Sequence, residues 1–186
     1  MVGHVEFDES KFKDLLLYVA KRLANDPTFG ETKLNKVMFF SDFEGYRLLG
    51  APITGAEYQK NKYGPTARLY TVMRDELIRW GQIEVERRMV VDHPQDVVRL
   101  KNIEPNMSRF KPEEIELIDR IIEKMRRYNN KEVSDLSHER AAGWNVAEHF
   151  GDEIPYETAF ISTDLIPEED LVRAQEFVRE QGWVRA

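Results

Sequence analysis

Residues 32–49 read TKLNKVMFFSDFEGYRLL. Leu34, Val37, Met38, Phe39, Phe40, Phe43, Tyr46, Leu48 and Leu49 recur at helical spacing yet cover nearly the whole circumference. A surface helix keeps one polar face, whereas a helix apolar on almost every side is buried. The stretch therefore predicts a central helix with the other elements wrapped around it.

Working outward, Phe12, Leu15, Leu16, Val19 and Leu23 follow a polar start at Asp8-Glu9-Ser10 and predict an amphipathic helix that stops before Pro27. Downstream, KNKYGPTARLY (residues 60–70) predicts a corner that turns an extended segment into a third helix. Pro65 would take that helix's first position, where a missing N–H costs nothing. Leu69, Val72, Met73, Leu77 and Trp80 form its apolar stripe, and Gly81 ends it. QIEVERRMVV and QDVVRLKNI, separated by DHP, predict a hairpin whose loop contains Pro94. Pro112-Glu113-Glu114 opens a fourth helix with Ile115, Ile118, Ile121, Ile122 and Met125 on one face. A short helix from about Lys131, a break near Ser137-His138 and a helical piece over 144–149 follow. IPYETAFIS reads as extended, and a last helix starts at Pro167. The expected fold class is α+β, mainly α-helical: a helical core around a buried central helix, with a small antiparallel hairpin. One domain is expected over residues 1–186, with a core of about 12–151 and an acidic extension, 152–186, packed on it.

The chain has 186 residues, 41% hydrophobic and 33% charged, which is an ordinary globular balance. It contains no cysteine, so disulfides, thiolate catalysis and cysteine-ligated zinc are excluded, and a cytoplasmic setting is expected. No basic segment precedes an apolar run at the start, so no signal peptide is expected. No apolar stretch approaches the ~20 residues of a membrane span. Up to His138 there are 23 basic and 23 acidic residues; from Glu139 onward there are 4 and 11. The whole net charge of −7 thus sits in the last quarter. That balance removes the usual electrostatic drive toward nucleic acid and suits a basic protein partner.

Reactive constellations are missing from this pattern. A phosphate loop needs several consecutive amides aimed at one anion, but Gly64 is a single glycine and Pro65 has no N–H; Lys60, Lys62 and Arg68 offer only charge nearby. His138, Glu139, Glu148, His149 and Asp152 are the one dense group with metal-ligand chemistry, yet the histidines are eleven positions apart rather than four. No glycine-flanked serine elbow occurs. Read as a helix-turn-helix, residues 131–149 lack the cations a recognition helix carries toward phosphates. No catalytic residue, cofactor or metal ligand is assigned.

Three stretches carry a family resemblance: KLNKVMFFSDFEGYRLLGAPI (33–53), AEYQKNKYGPTARLY (56–70) and LSHERAAGWNVAEHFG (136–151). Lys33, Leu34 and Lys36 begin an aromatic-rich helix, Gly64 and Pro65 end the second segment, and Ser137 and His138 precede Trp144. In this order and spacing the chain resembles the Panacea domain, the family of SocA-like antitoxins often described as phage-associated proteins. The resemblance implies a mainly helical fold and an antitoxin that neutralises a partner toxin by direct contact, the toxin encoded by an adjacent gene. It does not imply an enzyme. Tyr58, Lys60, Lys62, Tyr63, Arg68, Arg87 and Arg88 are taken as candidate partner-binding residues; of these, Tyr58, Tyr63, Arg87 and Arg88 are of residue types favoured at contact centres, with Tyr58 and Tyr63 also readable as core. A homodimer is compatible with this reading, and a DNA-binding regulator is the alternative.

Overall fold

The structure is a computed structural model, and it describes residues 5–90 and 93–161. The first helix, α1 (Glu9–Arg22), opens where Asp8 accepts a bond from the Lys11 amide at 2.8 Å, the N-cap arrangement that satisfies an otherwise orphaned donor. The central helix, α2 (Glu31–Leu49), ends at Gly50, whose φ of 81° continues the chain in the left-handed region. From Lys33 to Phe43 every residue of α2 is buried, the polar Lys33, Asn35, Lys36, Ser41 and Asp42 included, whereas Leu48 and Leu49 at its end are exposed. It lies against α1, α4 (Pro112–Arg126) and α5 (Asn130–Arg140). Pro112 stands at the start of α4, and the Glu114 carboxylate accepts from the Lys111 amide at 2.8 Å. Asn129 and Glu132 bond reciprocally at the start of α5.

Two antiparallel pairs complete the α+β, mainly helical architecture. Short strands β1 (Tyr58–Gln59) and β2 (Thr66–Ala67) pair Tyr58 with Ala67. The longer β3 (Ile83–Val90) and β4 (His93–Leu100) pair Ile83 with Leu100 through to Val90 with His93. The base of this second hairpin enters the core through Ile83, Val97 and Val98, while Met89 near its tip is exposed. Arg88 and Arg99 fasten it, donating to the Pro27 carbonyl at 3.2 Å and the Ala24 carbonyl at 2.7 Å.

Four expectations need correction. Pro65 is not the first residue of a helix. Thr66 and Ala67 form a strand first, and α3 spans Tyr70–Arg79. Only Met73 and Leu77 of its expected stripe, with Tyr70, are buried; Leu69 and Trp80 fall at the caps, outside the helix, and are exposed, as is Val72. Pro94 lies in β4 opposite Met89 rather than in the loop, tolerated at the second position of a strand bonded on one side. The break between the late helices falls at Ala141, after Ser137-His138, and α6 is only Ala142–Val146. Residues Tyr156–Phe160 form a 3-10 turn, not a strand. The helix expected from Pro167 lies outside the described residues.

The stretch 151–160 is built into the body. Lys60 donates its amide to the Asp152 carbonyl at 2.8 Å, and Ile154 to the Tyr58 carbonyl at 2.8 Å, so this segment runs along the free edge of β1. Tyr156 packs 4.8 Å from Phe43, ring to ring, and its hydroxyl donates to the Ala56 carbonyl at 2.6 Å. Among the described residues no helix is long and apolar enough to cross a membrane.

Candidate functional site

The loop joining β1 to β2 holds Lys60 through Pro65. Gly64 sits at its tip with φ 93°. A Cβ built there would lie 2.3 Å from Ser137 Oγ and 2.7 Å from Lys36 Cε, so no other side chain fits without displacing both. The corner is thus clamped between α2 and α5. Lys36 Nζ donates to the Pro65 carbonyl at 2.9 Å, and Ser134 Oγ donates to the Tyr63 carbonyl at 3.2 Å. Ser137, fully buried, donates to the Ser134 carbonyl at 2.7 Å.

The outer side of the loop meets α6. Trp144 Nε1 donates to the Asn61 carbonyl at 3.0 Å, and the Trp144 ring stacks on the His138 imidazole with centroids 4.0 Å apart. Lys60 Nζ lies 4.5 Å above the same indole and donates to the Ala147 carbonyl at 2.7 Å. Asn145 closes the group by donating to the His138 carbonyl at 2.7 Å. Lys36, Gly64, Pro65, Ser137, His138 and Trp144 come together in space although more than a hundred positions of chain separate the first from the last.

A family model for the SocA-like antitoxin, Panacea domain, matches residues 34–145. The chain belongs to the Panacea-domain family. No curated protein and no solved structure matches it. The matched span includes Lys36, Gly64, Pro65, Ser137, His138 and Trp144 of the Panacea corner just described.

Electrostatics divide the two motif lysines. Lys33 is buried but paired, donating to Asp26 at 2.6 Å and to Thr28 Oγ1 at 2.7 Å. It stands apart from the corner, as does Leu34, which is core. Lys36 is buried to 1% exposure with a carbonyl as its hydrogen-bond acceptor, and burial pushes its pKa down to about 7. His138 is held below its ordinary value, first by burial and then by Lys36, with Asp135 opposing and Lys60 reinforcing. Its Nε2 is buried with no partner among the described residues.

The candidate contact residues separate by exposure. Tyr58 is core, at 1% exposure, with its hydroxyl donating to Asp42 at 2.9 Å; a side chain so placed has no surface to offer a partner. Asp42 also accepts from the Thr54 amide and hydroxyl at 2.6 Å each, while burial raises its pKa to about 6. Arg88 is engaged by the backbone of the α1–α2 connection. Tyr63 is exposed at 61%, and Lys62 Nζ lies 5.3 Å from its ring. Arg68, paired with Glu57 at 3.3 Å, lies beside the same loop, whereas exposed Arg87 stands on the β3–β4 hairpin near Asp96. Val146, at the end of α6, and Phe150, in the turn after it, are exposed and were not signalled by sequence pattern, since a five-residue helix and a turn are too short to show a period. Ser134 had a readable signal: it stands three residues before Ser137 on the same helical face.

Other chemistries find little footing here. Among the described residues no three His, Asp or Glu side chains form a group able to hold a metal ion. His138 faces Trp144, and His149 Nδ1 lies 3.7 Å from Asp152. The five-residue α6 is committed to the loop through Trp144, which leaves it too short and too engaged to enter a DNA groove.

Proposed function

We propose that the chain is an antitoxin-type binding module that neutralises a toxin by direct complex formation and acts as a binder, not as an enzyme. The convergence of the family motifs on one corner supports this reading. Its potentially reactive groups, Lys36 Nζ and Ser137 Oγ, are sealed inside and spent on backbone carbonyls, while its rim presents Lys62, Tyr63, Val146 and Phe150 to solvent. The corner is therefore a support and its rim is the recognition surface. An adaptable aromatic and cationic rim on a rigid base suits protein contact.

The toxin is expected beside this gene and to present a basic surface, because the acidic segment 152–180 lies next to the rim in sequence. Residues 152–160 are already part of the fold, so the informative truncation falls after Ile161 rather than after Gly151. Co-expression with the neighbouring gene product tests the proposal by capture on the full-length chain and by rescue of growth. Failure to capture any neighbour-encoded product removes the toxin reading. Equal rescue by the chain ending at Ile161 removes the acidic segment from the mechanism.

A further inference from the structure

Ala141 alone joins α5 to α6, and a pair of side chains ties the two helices together. The imidazole of His138, on the last turn of α5, lies flat on the indole of Trp144, at 11° and 4.0 Å between centroids. Trp144 in turn holds the β1–β2 loop through its bond to the Asn61 carbonyl. The backbone of α6 is seated independently of this stack. A Cβ on Gly143 would come within 2.5 Å of Ile154 Cγ2 and of Thr158 Oγ1, so that position is pressed against the 151–160 segment. The rings can part without unseating the helix.

The stack suits a neutral imidazole. His138 Nε2 is buried and meets no hydrogen-bond partner among the described residues. A neutral ring can leave that nitrogen bare, but the imidazolium carries N–H on both nitrogens and would bury one unanswered. The charges facing the ring act in the same direction. α2 contributes Lys36 and the β1–β2 loop contributes Lys60, both cations; Asp135 on its own helix opposes them, and α6 offers the uncharged Trp144. An indole face attracts a cation, yet Lys60 Nζ already lies 4.5 Å from that ring. Turned out to solvent, the imidazolium escapes these penalties. Burial first, and Lys36 next, hold the stacked imidazole below its ordinary 6.5, so the closed form is fully favoured above pH 6.5 and loses ground as pH falls.

We propose that the His138–Trp144 stack is an acid-released latch: a proton taken from solvent by His138 parts the two rings, breaks the indole's bond to Asn61 and turns Trp144 outward, while the α6 backbone stays seated. The latch itself rests on the geometry of the corner. Only its use rests on the toxin reading, since a freed indole adds an aromatic anchor to the recognition rim.

NMR of the full-length chain, with no partner present, tests the latch, so its failure leaves the toxin reading standing. The His138 ring signals are expected to titrate below 6.5, and about half a unit higher in Lys36→Met, where the facing cation is gone. Between pH 7 and 5.5, protection of the Trp144 indole N–H against hydrogen exchange is expected to fall about threefold or more. The Ala147 amide, bonded to the Gly143 carbonyl within α6, is expected to keep its protection. In His138→Gln, which has no imidazole to titrate, the fall is expected to be absent. A His138 midpoint at or above 6.5, or one that Lys36→Met leaves unmoved, overturns the proposal. So does indole protection that is constant with pH or falls equally in His138→Gln. Loss of Ala147 protection in step with the indole overturns it too, because the helix and not a side chain would then be opening. Should His138→Gln fail to fold, the wild-type and Lys36→Met titrations decide.

Discussion

Replacing Lys36 by methionine is expected to stabilise this protein, although it removes a family-motif residue. A lysine whose pKa falls from 10.5 to about 7 on folding carries a penalty of about 4–5 kcal/mol near neutral pH, at about 1.4 kcal/mol per unit. Methionine matches the unbranched stem that packs against Gly64 but leaves the Pro65 carbonyl without its donor, a loss of about 1–3 kcal/mol. The net expectation is a gain of about 2 kcal/mol, or a rise in melting temperature of about 4–8 °C for a chain of this size. The pH dependence gives a second signature. Between pH 7 and 10.5 the unfolded chain holds a proton on Lys36 that the folded chain has released, so wild-type stability rises with pH in that window. From pH 7.5 to 9.5 the rise is about 2–3 kcal/mol, and the variant lacks it. His138, held below 6.5, and Asp42, raised to about 6, titrate below this range. Tyr58, Tyr70 and Tyr156, all raised above their ordinary 10, act above it. Urea unfolding of both proteins at several pH values measures the difference. A variant less stable than wild type at pH 7.5, or parallel pH profiles, refutes the reasoning.

Lys33→Met, one helical turn away, is expected to do the opposite and destabilise by about 3–5 kcal/mol, since it strands the buried Asp26 carboxylate; urea midpoints decide it. Gly64→Ala is expected to lose about 3 kcal/mol or more, from the strained φ of 93° and the collision with Ser137 Oγ, and Ser137→Gly in the same chain should recover part of that loss. Tyr63→Ala should leave stability within about 0.5 kcal/mol while weakening partner capture, whereas Tyr58→Phe should lose about 1–2 kcal/mol through Asp42 and leave capture intact. The reverse assignment of these two tyrosines in a binding and melting comparison would move the recognition surface elsewhere.

Local chemistry made the helices legible. Thr32–Leu49 announces its burial by apolar residues on every side, and Pro112-Glu113-Glu114 marks the first turn of α4 because proline and acids suit free amides there. The family, too, is readable from the succession of Lys36, Gly64-Pro65, Ser137-His138 and Trp144. Pro65 was ambiguous in kind, since its fixed φ serves a helix start and a turn equally well. Which it serves depends on Lys36 and Ser137, which lie far from it along the chain. The fates of Tyr58 and Tyr63 were equally hidden, because a two-residue strand has no period from which to read a buried face.

What the sequence determined by itself is therefore the mainly helical class, the central helix, the charge asymmetry and the family. Tertiary structure alone decided that the scattered motifs form one corner, and that Lys33 meets a carboxylate while Lys36, among the described residues, meets only a carbonyl. The physical reason is range. Periodicity and capping are set by neighbours within a turn or two, whereas burial, ion pairing and pKa depend on groups that only the folded chain brings within a few ångströms.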